Sequence, residues 1–415
     1  MINWKKNLYI VFFAEMIAIT GMAFVIPFLP FYVKELGISN LKQVAKWSGL
    51  IIGAPSLVMV VVSPLWGSLA DRVGRKPMIE RAMFGGAITI FLMAGATNIY
   101  QLFTLRLIQG ALTGTIAACT ALISGSSPSK KMSFSLGLLQ TSIFLGSFLG
   151  PLLGGLSADL LGFRNSFRIT AVLLFISGFL IHFLVEENFV STVKKNHVIA
   201  LTERISLLFK NQQLILMFLI LFLVQFSIRS ISPIFPLFME TIVSDPSTIS
   251  SFTGLMFALT GLMAALTALN IGKFIEKKPG MILLIISLIG SGLFFLPQGY
   301  ASNIVQLSLM RIGLGLFYGA IIPIANTIIS LSTPSEHRGK MFGISNSTTF
   351  MGNILGPFFG GLIMATFSLP TVFVATGCIL LFAGLVLVFW NKKTKNIPKI
   401  DKKSLNEEIV SVSSR

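Results

Sequence analysis

A few ionisable and amide side chains lie inside long apolar stretches, where each needs a physical reason to be. Glu15 is the one acidic residue deep in such a stretch, about 10 Å from its nearer boundary at 1.5 Å per helical residue. A carboxyl there could carry a proton or bind a cation; the alternative is a structural carboxylate reached by water. Ala18 and Ile19, one turn on, are apolar, so no second acid in that helix can share the role. Arg106 heads the run Arg106-Leu107-Ile108-Gln109-Gly110. It lies about 9 Å from the other boundary, so it either faces the interior, as Gln109 beside it suggests, or snorkels outward. Arg229 is the other isolated charge, suited to an anionic group on a ligand or to snorkelling. Gln225, Tyr318 and Asn346 are polar within apolar runs and are candidates for a ligand cavity, with helix packing as the alternative for each.

These residues must be positioned by helices that pack closely, and one stretch shows how. Gly146-Ser147-Phe148-Leu149-Gly150-Pro151-Leu152-Leu153-Gly154-Gly155 recurs as Gly352-Asn353-Ile354-Leu355-Gly356-Pro357-Phe358-Phe359-Gly360-Gly361, 206 residues later. Glycines at i and i+4 strip one helix face of bulk and allow a second backbone to approach. Pro151 and Pro357 each remove a backbone donor, which predicts a bend or loosening at mid-helix. Plain packing accounts for one such face, but not for two ten-residue copies with proline at the same place. Other repeats lie at nearly the same displacement. Pro27 and Pro30 reappear as Pro233 and Pro236, 206 residues on, and Arg106 reappears as Arg311, 205 residues on.

The whole chain is apolar enough for lipid to be its solvent. Of its 415 residues, 54% are hydrophobic and only 11% charged, too little polar surface for a soluble protein of this length. Twelve runs can each cross a hydrocarbon layer of about 30 Å, near 8–32, 46–69, 78–96, 100–125, 132–160, 166–185, 213–238, 249–272, 280–297, 302–331, 341–367 and 370–390. A repeat that begins six helices later keeps its orientation. The expectation is therefore an all-α membrane protein of twelve transmembrane helices, built as two parallel-repeat six-helix bundles with a cavity between them. Residues 1–185 form the first bundle, 186–212 a cytoplasmic linker that includes an amphipathic segment, 213–390 the second bundle and 391–415 a disordered cytoplasmic tail.

The net charge of +17 does not point to nucleic acid. Of 32 Lys and Arg, only Lys34, Lys42, Lys46, Arg164 and Arg168 fall in segments on the side opposite the termini, and three, Arg106, Arg229 and Arg311, fall deep within spans. This is the positive-inside bias, which places both termini in the cytoplasm. The four Trp and all Tyr except Tyr318 fall near run ends, as an interfacial belt requires. Cys119 and Cys378 both lie within runs and read as small packing residues, with neither a disulfide framework nor a metal site. His182, His197 and His337 are far apart, and no nucleophile and base stand together, so an enzyme is disfavoured.

The remaining motif lies between the second and third runs: Gly67-Ser68-Leu69-Ala70-Asp71-Arg72-Val73-Gly74-Arg75-Lys76-Pro77. Asp71 is placed to face a positive helix N-terminus, while Arg72, Arg75 and Lys76 anchor the turn. Its counterpart from Gly272 to Gly280 is degraded.

Together, Gly67 to Pro77, Arg106 to Gly110 and Gly146 to Gly155 resemble the signatures of the major facilitator superfamily, within it the drug/proton antiporter family of twelve-helix exporters. The resemblance implies proton-coupled export of amphipathic drugs or toxic compounds by alternating access. A proton gradient would be the energy source with no cofactor, and the protein a functional monomer in the bacterial inner membrane. Its partners would be a small-molecule substrate, protons and the lipid bilayer. Gly67, Asp71, Arg72, Gly74 and Arg75 would form a cytoplasmic latch in which Asp71 meets the other half and steadies the outward-open state. Arg106 would take part in proton coupling. Gly146, Gly150, Pro151 and Gly154, with Gly155, would form a seam against the second half, and by symmetry Gly352, Gly356, Pro357 and Gly360 would repeat it. Glu15 is outside the family signatures. An exporter of an endogenous metabolite, such as a siderophore or lipid-like compound, fits the same fold, and a sensor without transport fits less well.

Overall fold

A computed structural model describes residues 4–128, 131–187, 189, 211–275, 279–333 and 338–393. The amphipathic segment expected in 186–212 and the tail from residue 394 lie outside them. Twelve helices are long and apolar enough to cross a membrane: α1 (Trp4–Phe24), α2 (Leu41–Val73), α3 (Lys76–Ala94), α4 (Ile99–Ser126), α5 (Phe134–Leu161), α6 (Phe163–Leu184), α7 (Gln212–Ile231), α8 (Pro246–Gly272), α9 (Gly280–Tyr300), α10 (Ile304–Leu331), α11 (Met341–Thr366) and α12 (Leu369–Asn391). Among the described residues there is no strand. The protein is a multi-pass membrane protein. Below, the terminal side is where α1 begins and α12 ends, and the distal side is its opposite.

The first and seventh runs are not single helices. After α1 the chain turns over four residues and restarts as a short helix, Leu29–Glu35, and after α7 it restarts as Phe235–Met239. Pro27 and Pro233 remove donors that would continue each span, and Pro30 and Pro236 suit the first turn of each short helix. Helix α2 is longer than expected because the Asn40 side chain caps its start, accepting from the amides of Lys42 and Gln43 at 3.0 and 3.2 Å. The helix through Pro151 stays continuous from Met132 to Leu161, and the last helix runs on to Lys393, past the expected boundary at 390.

The repeat is visible in packing. Helix α1 packs on α5 as α7 does on α11, α3 on α6 as α9 on α12, and α2 on α4 as α8 on α10. An aromatic pair under each short helix is conserved between halves: Tyr32 with Phe167, ring centroids 5.0 Å apart, and Phe238 with Phe373 at 4.9 Å. Tyr32 is a correction to the interfacial belt. It is fully buried and donates its hydroxyl to the Met93 carbonyl at 2.7 Å. Its apolar ring belongs to the core once the short helix folds over the bundle.

The halves meet along two equivalent seams, α2 with α11 and α5 with α8. Here the structure corrects the expected seam. Gly146, Gly150 and Gly154 face α1 of their own half, against Met16, Thr20, Ala23 and Phe24, while Gly352, Gly356 and Gly360 face α7. The residue one step round the helix faces the other half: Gly155 meets Ser250 and Ser251 of α8, and Gly361 meets Ala45 and Lys46 of α2. Gly254 packs on the Pro151 carbonyl and Gly49 on that of Pro357. A helix turns 100° per residue, so adjacent glycines serve two different partners.

Polar contacts close the distal side of the same interface. Lys34 donates to Glu240 at 2.6 Å, and these two residues occupy equivalent positions 206 apart, so the pair bridges the axis relating the halves. Asp159 of α5 accepts from the backbone amides of Ser250 and Ser251 at 3.2 and 2.6 Å, capping α8 from the other half. Asp245 also stands at that helix start, where the hydroxyl and amide of Ser247 hold its carboxyl below the usual range. In α2 every buried residue lies between Val44 and Ala54, the distal part of the helix. The contacts joining the halves therefore gather at the distal side.

Candidate functional site

Helix α4 breaks in the middle of the membrane, a feature the hydropathy of its run conceals. Its first segment ends at Leu112 and the second starts at Thr115. Thr113 is extended, and Gly114 has φ +119°, a conformation glycine reaches without a Cβ penalty. The Thr113 hydroxyl and amide both donate to the Gln109 carbonyl, at 2.8 and 2.9 Å, so the end of the first segment is satisfied. The second segment begins with free N–H groups at mid-depth, which is tolerated where protein covers them.

Glu15 lies against this second segment. It is fully buried. One carboxyl oxygen accepts from the Thr115 hydroxyl at 2.9 Å and the other from the Cys119 thiol at 3.3 Å. Thr115 and Cys119 are one turn apart and present both donors to α1. Among the described residues Glu15 makes no ion pair, so an ionised carboxylate here would rest on two neutral donors alone. Cys119 is thus more than a packing residue. The sequence signal available was its position one turn after Thr115, but nothing in α1 or α4 alone says that the two helices face each other.

The position of α1 follows from the bare face of α5. With Gly146 against the Met16 carbonyl, where a Cβ would come to 2.7 Å, and Gly150 against Ala23 at 2.6 Å, α1 is brought close enough to present Glu15 to α4. The glycine stretch therefore positions the carboxyl even though it does not touch it.

Arg106 is 8% exposed, so it does not snorkel. Its Nη1 donates to the Gln109 side chain at 3.0 Å, and its Nε has no partner. Arg106, Gln109, Thr113 and Thr115 thus form a polar series along one helix that ends at Glu15, although Arg106 and Glu15 are not paired. In the second half, Arg229 donates Nε to Asn353 of the repeated glycine stretch at 3.1 Å. Tyr318 of α10 lies within electrostatic reach of Arg229. Gln225 packs against Gly352, and Asn346 is exposed on α11. The structure does not bring these into one cluster with Glu15. Arg311 is buried and its Nε and Nη2 have no hydrogen-bond partner.

At the loop between α2 and α3, Asp71 does not face a helix N-terminus as expected. It is 71% exposed and, among the described residues, pairs only with Arg75, at 3.4 Å. The anion at the start of α3 is Glu187, which accepts from the amides of Arg75 and Lys76 at 2.9 and 2.7 Å. Gly74 has φ +100°, a conformation that favours glycine, and a Cβ there would come within 2.9 Å of the Glu187 carboxylate, which would have to shift. Helix α2 carries Gly67 and Asp71 within its last turns and Arg72 in the final one.

A sequence profile of the Major Facilitator Superfamily matches residues 11–276 and again 217–414. The chain is 36% identical over 391 residues to "Multidrug resistance protein MdtG" of Salmonella typhimurium, covering 94% of this chain and 96% of that protein. Among solved structures, a bacterial homologue of the human lysosomal transporter Spinster in an inward-facing and occupied conformation matches with a TM-score of 0.78 at 12% identity, over 93% of this chain and 96% of that one. The nucleoside transporter NupG matches with a TM-score of 0.73 at 19% identity, over 93% and 98%. At these identities the two structures establish the fold alone.

Proposed function

The chain belongs to the Major Facilitator Superfamily of transporters, and from that premise we propose that it exports amphipathic drugs or toxic compounds in exchange for protons, with Glu15 as the proton site. The observation that carries this is the lone buried carboxyl held by Thr115 and Cys119 at the break in α4. Spans α1 to α12 hold few other acids: Asp71 is exposed, Glu80 pairs with Lys76, and Asp159 caps α8. None is fully buried, as Glu15 is.

The second half supports the assignment by contrast. At the positions equivalent to Glu15, Thr115 and Cys119 it carries Leu221, Ala320 and Ile324. Its helix α10 is unbroken at Gly319, the counterpart of Gly114. A duplicated scaffold that keeps its packing glycines in both copies but its carboxyl, donors and helix break in one has specialised that half.

Export proceeds by alternating access. The distal seams, the Lys34–Glu240 pair and the Asp159 cap hold the halves together on one side, while among the described residues Asp71 pairs with Arg75 of its own half. With the positive-inside orientation, the distal side is external and the present state opens to the cytoplasm. Parting of the distal contacts and engagement of Asp71 with the second half would give the outward-open state. Arg106 links to the proton site through Gln109 and the Thr113–Gly114 break, so a change in the break reaches both. The proton gradient supplies the energy without a cofactor, and a monomer in the inner membrane, both termini cytoplasmic, suffices.

The test is proton movement in proteoliposomes on adding cationic, neutral and anionic amphipathic drugs, comparing wild type with Glu15→Gln and Arg106→Ala. Drug-evoked flux that vanishes in Glu15→Gln and falls in Arg106→Ala is expected. Flux that survives Glu15→Gln places the proton elsewhere, and no flux with any drug overturns coupled drug export.

A further inference from the structure

The two halves align at a displacement of 205 or 206 residues, so positions where they differ show what each half does on its own. Arg106 and Arg311 are equivalent and both buried. Their surroundings differ. Arg106 has Gln109 as an internal acceptor at 3.0 Å, whereas the counterpart of Gln109 is Leu314, and Arg311 is left with Nε and Nη2 unpaired at 3% exposure. In place of an acceptor the second half supplies aromatic faces. The guanidinium carbon of Arg311 lies 3.7 Å from the ring centroid of Phe235 and 5.7 Å from that of Phe257. The corresponding residues of the first half are Leu29 and Ile52, so this seat exists once.

Among the described residues Arg311 makes no ion pair. Spans α7 to α12 contain no Asp or Glu, and their two cations are Arg311 and Arg229. Among the described residues Arg229 has the neutral Asn353 as its hydrogen-bond partner. A guanidinium stacked by its face on an aromatic ring does not use its N–H edge, which here is enclosed and unpartnered, and that edge matches the paired oxygens of a carboxylate, phosphate or sulfonate. An unpaired buried cation is costly and in membrane spans marks a ligand path.

We infer that the second half holds a binding site for the anionic group of an amphipathic ligand, with Arg311 as its charge partner and Phe235 and Phe257 as its apolar seat. This deepens the exporter reading, on which it rests for the identity of the ligand as cargo. The recognised class is an organic anion with an apolar body. An anionic lipid headgroup offers the same chemistry, and the test separates the two.

The experiment is equilibrium binding to the full-length protein in phosphatidylcholine nanodiscs, using pyrenebutyrate and pyrenebutylamine, which share an apolar body and differ in the sign of charge. Empty nanodiscs correct for partitioning. Saturable binding of pyrenebutyrate at least about tenfold tighter than that of pyrenebutylamine is expected, with a loss of about tenfold or more in Arg311→Gln and a smaller loss in Arg311→Lys. Phe235→Leu, which installs the residue of the first half, is expected to weaken pyrenebutyrate by a few-fold. Equal or tighter binding of the amine overturns the inference using wild type alone, so it remains testable if Arg311→Gln fails to fold. Unchanged pyrenebutyrate binding in folded Arg311→Gln also overturns it. Displacement of pyrenebutyrate by added phosphatidylglycerol assigns the anion site to a lipid headgroup, and indifference to it assigns the site to cargo. Binding needs no proton gradient, so it stands or falls separately from coupling at Glu15.

Discussion

Replacing Gly361 by alanine puts a methyl group between α11 and α2, the two helices of one seam between the halves. Its Cβ would lie 2.6 Å from the Ala45 carbonyl oxygen and 3.3 Å from the Lys46 Cα, where ordinary contact begins at 3.4 Å. The contacts are backbone atoms, which cannot rotate away, so the helices must part by about 0.8 Å, the difference between 3.4 and 2.6 Å. Overpacking of this kind costs about 1–3 kcal/mol. Because the cost falls only on the state in which the distal side is closed, it shifts the equilibrium toward the opposite state by about 5- to 150-fold. The assay is the distance between spin labels at Leu160 and Ser244, beside the other seam, in a protein whose exposed Cys378 is replaced by serine and whose buried Cys119 is kept. A longer distance population should grow in Gly361→Ala. The matched control is Gly150→Ala, whose Cβ also meets an atom at 2.6 Å, the Ala23 Cβ of the same half. It should lower stability and leave the distances alone. An unchanged distribution in folded Gly361→Ala, or the same shift in Gly150→Ala, would refute the division of the glycines between seams.

Four other outcomes follow from the same geometry. Glu240→Lys should favour opening of the distal side, and Lys34→Glu combined with it should restore closure. The pair is about one third exposed, so the effect is about 0.2–1 kcal/mol and shrinks in high salt, read by the same spin labels. Asp159→Ala removes the acceptor for the Ser250 and Ser251 amides and should cost the closed state about 1 kcal/mol, again as a growing long-distance population. Gly74→Ala forces φ +100° on a residue with a Cβ, costing about 1–2 kcal/mol. A lower unfolding temperature in detergent checks it, and Glu187→Gln, which weakens the same cap, should lower it as well. Thr115→Val deletes the hydroxyl that holds Glu15 at nearly constant volume, and drug-evoked proton flux should fall while folding is retained.

Much of the architecture was legible in the chain because lipid allows few solutions. A backbone in hydrocarbon must satisfy its own hydrogen bonds, so apolar runs of sufficient length become helices, and all twelve expected runs contain one. The repeated prolines and glycines reported the parallel duplication for the same reason: their effects on the backbone are local. What was misjudged depended on direction or distance. The glycine stretch identified a bare face but not which partner fills it, and α1 and α8 turned out to divide Gly154 and Gly155 between them. Thr113 and Gly114 permit a break, yet hydropathy averages over it. Asp71 and Glu187 both had the charge to cap α3, and only the path of the chain after α6 gave the place to Glu187.

The sequence by itself determined the class of protein, the number of spans, their pairing into two halves and the presence of a single acid deep in the membrane. Each of these rests on composition or on local geometry, which survive without knowledge of neighbours. The tertiary structure decided which helices touch, and with that the meaning of the polar residues. Glu15 found Thr115 and Cys119 a hundred residues away, Arg106 found Gln109 on its own helix, and Arg311 found aromatic rings and, among the described residues, no ion pair. Burial makes a charge expensive, but only the partners that surround it show whether the chain has answered that cost or left it for a ligand.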